Sequence, residues 1–543
     1  MAINRRDTLK LFGAGAVALG AGPLLVGCGD GGGGSDVGND GKELAPWPAY
    51  VPLTGPTPDL PGGEKGLQAA YTKYPSNLTD AGFATPGDKS DVTVSVISYG
   101  TPPTDVSVNK YWQAVNAALG VNLKIEIIPA ANFVEVMSTK MAGNDLPDIM
   151  FFGAGYVLPR QEQFIQQVCA DISEYVSGDN VKQFPALANI PSYTWQGLGR
   201  IGGRFYGVPT ERPVYGGSLL VNRTALEKAG AVYEWDKAGF LSSLKAATGD
   251  KKYGMGFPME LNIDYLAGSL GAPNTWAVSA DGKFTTTYES PQFKEALAMS
   301  AQLFKEGSAY PDGGSTSAVD MKTLFANQTV ATYRDGWGAM GTSSLALAKG
   351  FTQDFGLPFG GAASTPWGGT GRFGFVAFKK ADASRIKMLL AVCNYLAAPF
   401  GTKQYELFNY GVEGTHFTRG ADGTPVPTEL WTKGENGTTL PVKYIAAAPQ
   451  ALFYAGYPEA VERVYQWEKK VAPITIPDPS NGLRSAKWTE NGSALTKAIN
   501  DAILGVVFRG EDVSTFDGAV AKWKSDGGSQ SADEFAAEYA AAK

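Results

Sequence analysis

One histidine and three cysteines in 543 residues leave little room for imidazole or thiol chemistry. A zinc site built mainly from Cys and His cannot be assembled from that stock. A Ser-His-Asp or Cys-His mechanism would have to run through His416, since there is no other imidazole. Positive charge is also short, with 46 Lys+Arg against 53 Asp+Glu and a net charge of −7. Binding to DNA or RNA by neutralising phosphates is not expected of such a chain. Beyond the N-terminus, no stretch reaches the ~18 clean apolar residues that a spanning helix needs. What the chain does have is 68 Gly, 11 Trp, 24 Tyr and 27 Phe. Flat apolar faces set among turns suit a protein that holds a ligand better than one that breaks it. The length allows two large lobes with real cores.

Residues 1–27 read as an export signal rather than as part of the fold. Arg5 and Arg6 head a basic segment, and an apolar, small-residue run extends from Leu11 to Gly27. The run ends Leu25-Val26-Gly27-Cys28, similar to a bacterial lipobox, which makes Cys28 the expected lipidated residue of an extracytoplasmic, membrane-anchored protein. Arg5-Arg6-Asp7-Thr8-Leu9-Lys10 resembles a twin-arginine motif, with an ordinary Sec signal as the alternative. Residues 28–90 are expected to form a flexible tether, glycine-rich at 29–35 and proline-rich at 44–62. Cys169 and Cys393 each sit in an apolar run and read as buried thiols, with a disulfide the open alternative in an exported protein.

From Asp91 the hydrophobic period alternates between two and 3.6. Val92, Val94 and Val96 mark a strand; Tyr111, Val115 and Leu119 a helix closed by Gly120; Leu123, Ile125 and Ile127 a second strand. Phe133, Met137 and Met141 mark another helix, and residues 148–153 a third strand. Such a β-α-β-α-β run specifies a parallel sheet with right-handed crossovers, whose ligands sit past the C-terminal strand ends. No Gly-x-Gly-x-x-Gly or Walker-type loop follows the first strand. Further helices are expected after Ser290, over 383–398, around 457–471 and 495–508, and over 532–542, with a strand at 372–378.

Several separated segments resemble the extracellular solute-binding proteins of ATP-driven sugar importers. Gly202-Gly203-Arg204-Phe205-Tyr206-Gly207-Val208-Pro209 is similar to that family's G-K-x-Y-G-x-P segment, and Leu219-Leu220-Val221-Asn222-Arg223 follows it in the place of a family strand. Asp281-Gly282-Lys283-Phe284, Phe293-Lys294-Glu295-Ala296-Leu297 and Lys305-Glu306-Gly307 keep the family's order. Tyr410-Gly411-Val412-Glu413-Gly414-Thr415-His416-Phe417 resembles a segment of the larger lipoprotein branch, which includes oligosaccharide and alginate binders. The tail Asp533-Glu534-Phe535 with Glu538-Tyr539 fits as well.

The resemblance implies an α/β, two-lobed, periplasmic-binding-protein-like (type II) fold with an inter-lobe ligand cleft and extra C-terminal helices. Lobe 1 is expected over 91–212 plus 365–416 and lobe 2 over 213–364 plus 417–543, with crossings near 209–217, near 357–365 and after His416. It implies a carbohydrate ligand, ABC permease subunits as membrane partners, a monomer, no enzyme activity and no cofactor. The branch's calcium loop is not matched: residues 248–254 offer one carboxylate, Asp250, beside Lys251 and Lys252. The alternatives are a surface-anchored glycoside hydrolase or polysaccharide lyase, and a structural or adhesive lipoprotein. A hydrolase would need paired carboxylates in strong local motifs, and none stands out.

Sugars offer C–H faces for stacking and hydroxyls for polar groups. Candidate ligand-binding residues are therefore aromatics in Gly/Pro/polar loops: Tyr99, Trp276, Trp337 and Trp367. In the resembling family the counterpart of Trp276 faces the ligand. Arg334 and Arg372 either pair with a uronate carboxylate or brace a lobe, and Glu211-Arg212 is either a hinge pair or a hydroxyl clamp.

Overall fold

In the computed structural model, the structure describes residues 37–53, 55–63, 66–143, 145–231, 234–259, 261, 263–336 and 350–542. The signal segment, Cys28 and Trp337 lie outside them. Strands are numbered in chain order. β1 (Asp91–Ser98), β2 (Asn122–Pro129) and β3 (Ile149–Gly153) form as the alternation requires, linked by helices Lys110–Leu119 and Phe133–Gly143. The first helix starts where the Asn109 side chain accepts from the Trp112 N–H and ends at Gly120, whose φ of 66° favours glycine.

β1 pairs in parallel with both β2 and β3. The sheet is completed by β4 (Gly207–Glu211) and by β11 (Arg372–Phe378), which returns from far along the chain and runs antiparallel between β3 and β4. The strand order is β2-β1-β3-β11-β4. Val376, Ala377 and Phe378 are all fully buried, so helices cover both faces of β11.

A second sheet contains β5 (Gly217–Asn222), β6 (Tyr253–Gly256), β9 (Val330–Gly336) and β10 (Gln353–Phe355) in the order β10-β5-β9-β6. Leu219 and Val221 enter one core with the C-terminal helices Ala486–Phe508, Thr515–Trp523 and Ser529–Ala541. Leu220, between them, enters a different core against helix Pro458–Val471, as period-two geometry demands. A small hairpin, β7 (Trp276–Val278) with β8 (Phe284–Thr286), sits at the edge of this body. No helix among the described residues is long and apolar enough to cross a membrane.

Two expectations change. Residues 440–446, expected with the second lobe, contribute Leu440, Val442, Ile445 and Ala446 to the core of the first sheet. The stretch 37–90, expected to be a free tether, is docked. Its backbone bonds to Gly203, Gly178 and Ala188 near the first sheet and to Leu452 further on. Val37 and Ala45 are buried in the first core and Ala70 in the core beside helix Pro458–Val471, while Tyr71 and Tyr74 pack on Phe400. The prolines keep the strand extended, but its apolar side chains find grooves to fill. Trp47 lies under the Arg200 guanidinium at 3.7 Å, a favourable cation–π stack.

The chain passes between the two sheets along three segments that bond to one another. The Gly369 N–H donates to the Val214 carbonyl (2.7 Å), the Arg212 N–H to Gly371 (3.1 Å), and the Gly368 N–H to Ile476 (2.8 Å). Gly216 is essential to this ribbon, because a Cβ there would meet the Trp367 carbonyl at 2.5 Å. The single histidine is structural. His416 is fully buried, accepts from the Val412 N–H at Nδ1 (3.0 Å), and points Nε2 at Glu435 (3.1 Å). Cys169 and Cys393 are free and buried, and burial pushes the Cys169 thiol up to about 12.

Candidate functional site

A cleft of about 1180 Å³ opens between the two sheets. One wall comes from the C-terminal ends of β1 and β3, where Tyr99 and Tyr156 project. The floor is the crossing ribbon, with Arg212, Trp367 and Arg372, and the opposite wall carries Asp264, Asn274 and Arg334. Lys443 and Tyr444 border it from a short 3-10 turn, Val442–Tyr444, whose Val442 is anchored in the first core.

Tyr99, expected at the top of the first strand, is there and is 53% exposed. Its hydroxyl shares a hydrogen bond with that of Tyr156 (3.0 Å), and burial of the phenol together with that bond holds its pKa above the ordinary tyrosine value. Its ring meets Phe373 and Tyr444 edge-on, each at 6.1 Å, while those two stack at 4.5 Å with planes 21° apart. The result is an aromatic wall on the first-sheet side. Trp367 also lines the cleft, and its indole N–H donates to the Ala272 carbonyl (3.0 Å), which fixes the ring's orientation.

Arg334 reaches the cleft but is committed to Asp264 by a two-pronged contact, with Nε 2.9 Å from Oδ1. Burial opposes its charge, yet the Asp264 carboxylate outweighs that and the pKa rises. Of the two readings open for Arg334, bracing is what the geometry favours. Arg372 differs. Its buried Nε and Nη1 have no hydrogen-bond partner among the described residues, and burial next to Arg484 pulls its pKa down to about 10.

Trp276 requires a correction. It is 4% exposed and packs at 5.8–6.0 Å from Phe284, Trp523 and Phe535 in the second core, away from the cleft. Thr275 takes a left-handed φ of 59°, and the β7–β8 hairpin that follows turns the indole inward under the C-terminal helices. The residue of that loop that does line the cleft is Asn274, whose amide donates to Gly368 (2.9 Å) and Ile476 (3.0 Å) and so pins the ribbon. Trp337 lies outside the described residues.

Sequence reasoning missed Tyr156, Lys443 and Tyr444, and read Arg212 only as a hinge or hydroxyl contact. Lys443-Tyr444, a cation beside an aromatic within a proline-bounded apolar segment, was the available signal. Glu211 is not a free clamp: its buried carboxylate accepts from the Tyr193 hydroxyl (2.5 Å) and the Gln450 N–H (2.9 Å), and burial raises its pKa. The 248–254 stretch folds as a tight turn, with Asp250 and Lys251 at positive φ. Among the described residues no group of three or more His, Cys, Asp or Glu is placed to hold a metal ion.

The architecture and site can be set against known proteins. The curated "Polygalacturonan/rhamnogalacturonan-binding protein YtcQ" of Bacillus subtilis (strain 168) is 23% identical over 483 residues, 85% of this chain and 94% of that protein. The solved alginate-binding protein AlgQ2, without calcium ion, superposes with a TM-score of 0.61 at 16% identity, covering 84% of this chain and all of its own. The N-glycan transport solute-binding protein NgtS of Streptococcus pneumoniae, in complex with Man1GlcNAc, gives 0.58 at 15% identity over 83% and 99% of the two chains. These likenesses establish the two-lobed type II periplasmic-binding fold. A model of the family described as bacterial extracellular solute-binding protein matches residues 110–410, more than half of the chain. Two sheets joined by a three-segment ribbon, with an aromatic cleft between them and this family match across both, make the chain a member of the bacterial extracellular solute-binding proteins.

Proposed function

We propose that this protein is the extracytoplasmic receptor of an ABC importer, capturing an oligosaccharide between its lobes and delivering it to a membrane permease. The carrying observation is the wide cleft whose first wall is the Tyr99–Phe373–Tyr444 aromatic surface, with Trp367 on its floor and polar side chains between. Aromatic faces suit sugar C–H surfaces, each stack being worth about 1 kcal/mol beyond area burial. The names of the relatives, which specify polygalacturonan, alginate and N-glycan ligands, agree with a saccharide.

In this reading the ligand-contacting residues are Tyr99, Tyr156, Trp367, Arg372 and Tyr444. The lobes are 91–212 with 365–446, and 217–364 with 447–543, an assignment supported by the distribution of the cores. A ligand touching both walls favours the closed arrangement by its differential contacts, and closure presents a joint surface to the permease. Cys28 serves as the lipid-anchoring residue, and the chain acts as a monomer without catalysis.

The test is a thermal-shift screen of the purified protein against neutral, acidic and amino-sugar oligosaccharides, with product analysis of each mixture. A binder gains about 2.7 kcal/mol of stability at a hundredfold excess over Kd and leaves the sugar intact. Turnover of the sugar, or the absence of a shift with every glycan, overturns the reading.

A further inference from the structure

The cleft holds positive charge that no ion pair among the described residues takes up, although the Glu211 carboxylate favours the charged form of Arg212 from a distance. Arg212 and Lys443 stand against the two rings of the stacked pair, the guanidinium carbon 4.7 Å from the Phe373 centroid and the ammonium 5.3 Å from that of Tyr444. Arg212 donates from Nη1 to the Glu211 carbonyl (2.8 Å), while the Glu211 carboxylate is occupied by Tyr193 and Gln450. Among the described residues no carboxylate forms an ion pair with Arg212, Lys443 or Arg372, whereas Arg334 has Asp264. Five cationic side chains and two carboxylates line the cleft of a chain that carries more acid than base overall.

Two like charges lining one cleft, each partly buried, are unfavourable. Burial, followed by the repulsion from Arg212, brings Lys443 down to about 8. A neutral sugar would leave that repulsion in place and would strip water from both heads. An anionic group bound in the cleft within reach of these heads would relieve it, because the guanidinium offers a planar fork and the ammonium a second point charge. The neighbouring wall has the right partner for the rest of a sugar ring.

We propose that Arg212 and Lys443 form a carboxylate subsite beside the Tyr99–Phe373–Tyr444 wall, and that the ligand is a uronate-bearing oligosaccharide. This rests on the carbohydrate reading above and narrows it to acidic glycans.

The test exposes the purified full-length chain to an array of neutral, uronate-containing and sulfated glycans. The best uronate ligand is then titrated calorimetrically beside its methyl ester. Uronates are expected to be retained, the ester to bind about 10- to 100-fold more weakly, and uronate affinity to fall with added salt. In Arg212→Met/Lys443→Met the preference for acid over ester should shrink to about threefold or less, and Arg212→Lys should keep part of it. Lys443→Gln alone, which leaves the Arg212–Phe373 stack intact, guards against a double variant that fails to fold and should leave a preference between that of the native chain and that of the double variant. Retention of neutral glycans alone, or equal affinity for acid and ester, overturns the subsite but leaves the carbohydrate reading standing. Retention of sulfated glycans only also overturns it. Binding to no glycan of any class overturns the carbohydrate reading itself.

Discussion

Trp276→Ala separates a core indole from a cleft indole. The side chain is 4% exposed, and burying a tryptophan removes roughly 200 Å² from water. At about 25 cal/mol per Å² that area corresponds to about 5 kcal/mol. Alanine retains part of this, and some of the cavity collapses, so a loss of ~3–5 kcal/mol is expected. The cavity would open among Phe284, Trp523 and Phe535, rings held by the hairpin and by two C-terminal helices. In a lobe of ordinary domain size each kcal/mol lowers the midpoint by roughly 2–4 °C, which makes the expected drop about 10 °C. Scanning calorimetry of the purified protein reads this, and ligand titration well below the new midpoint reads the site. Affinity should stay within about twofold. A midpoint shift under 2 °C together with a tenfold or greater loss of affinity would refute the core placement.

Two further outcomes concern pH. Glu468 is fully buried, accepts the Gln68 N–H (3.1 Å) through one oxygen, and is raised to about 8, mainly by burial. The folded state keeps a proton that the unfolded chain releases near the usual glutamate pKa, so stability should fall as pH rises from about 4.5 to about 8 and then level off. Urea midpoints measured across that range should show the slope, and Glu468→Gln should flatten it; an unchanged slope in the variant contradicts the assignment. Lys443 behaves in the opposite sense. Its lowered pKa means that unliganded stability should rise from about pH 8 towards 10.5, while affinity for an anionic ligand should decline over the same interval. Tyr99 and Tyr444 are both shifted upward and so do not titrate near pH 8. Calorimetric titrations at pH 7 and pH 9 check this, and equal affinities would argue against contact with Lys443.

The sequence carried the first sheet's opening run almost residue for residue, because an apolar alternation bounded by Gly120, Pro129 and Gly143 leaves few other folds for the chain. It also carried the Ser290 cap, whose hydroxyl accepts from the Phe293 N–H as the pattern implies. The second sheet was less legible: β6 and β10 have four and three residues, too few for periodicity to register. Tyr99 and Trp367 line the cleft because their loops sit at a strand end and a crossing, positions that the alternation of strands and helices marks in the sequence. The inward turn of Trp276 depends on one left-handed residue and on helices some 240 positions away, and no local pattern encodes that. Lys443 and Tyr444 were hidden because their segment joins the first core from a distant part of the chain.

The docked N-terminal stretch alters how far the receptor can travel. If residues 28–90 were a free leash, fully extended chain at about 3.5 Å per residue would let the body roam some 200 Å from an anchor at Cys28. Val37 is buried and Asn39 is bonded to both Glu538 and the Arg200 carbonyl, so an anchor at Cys28, if the chain carries one there, would be nine residues of covalent chain from the docked body. That caps the separation at about 30 Å, less than the thickness of one bilayer with its headgroups. An anchored copy would work as a short-armed sentry beside its permease, meeting it by lateral drift in the membrane rather than by casting outward.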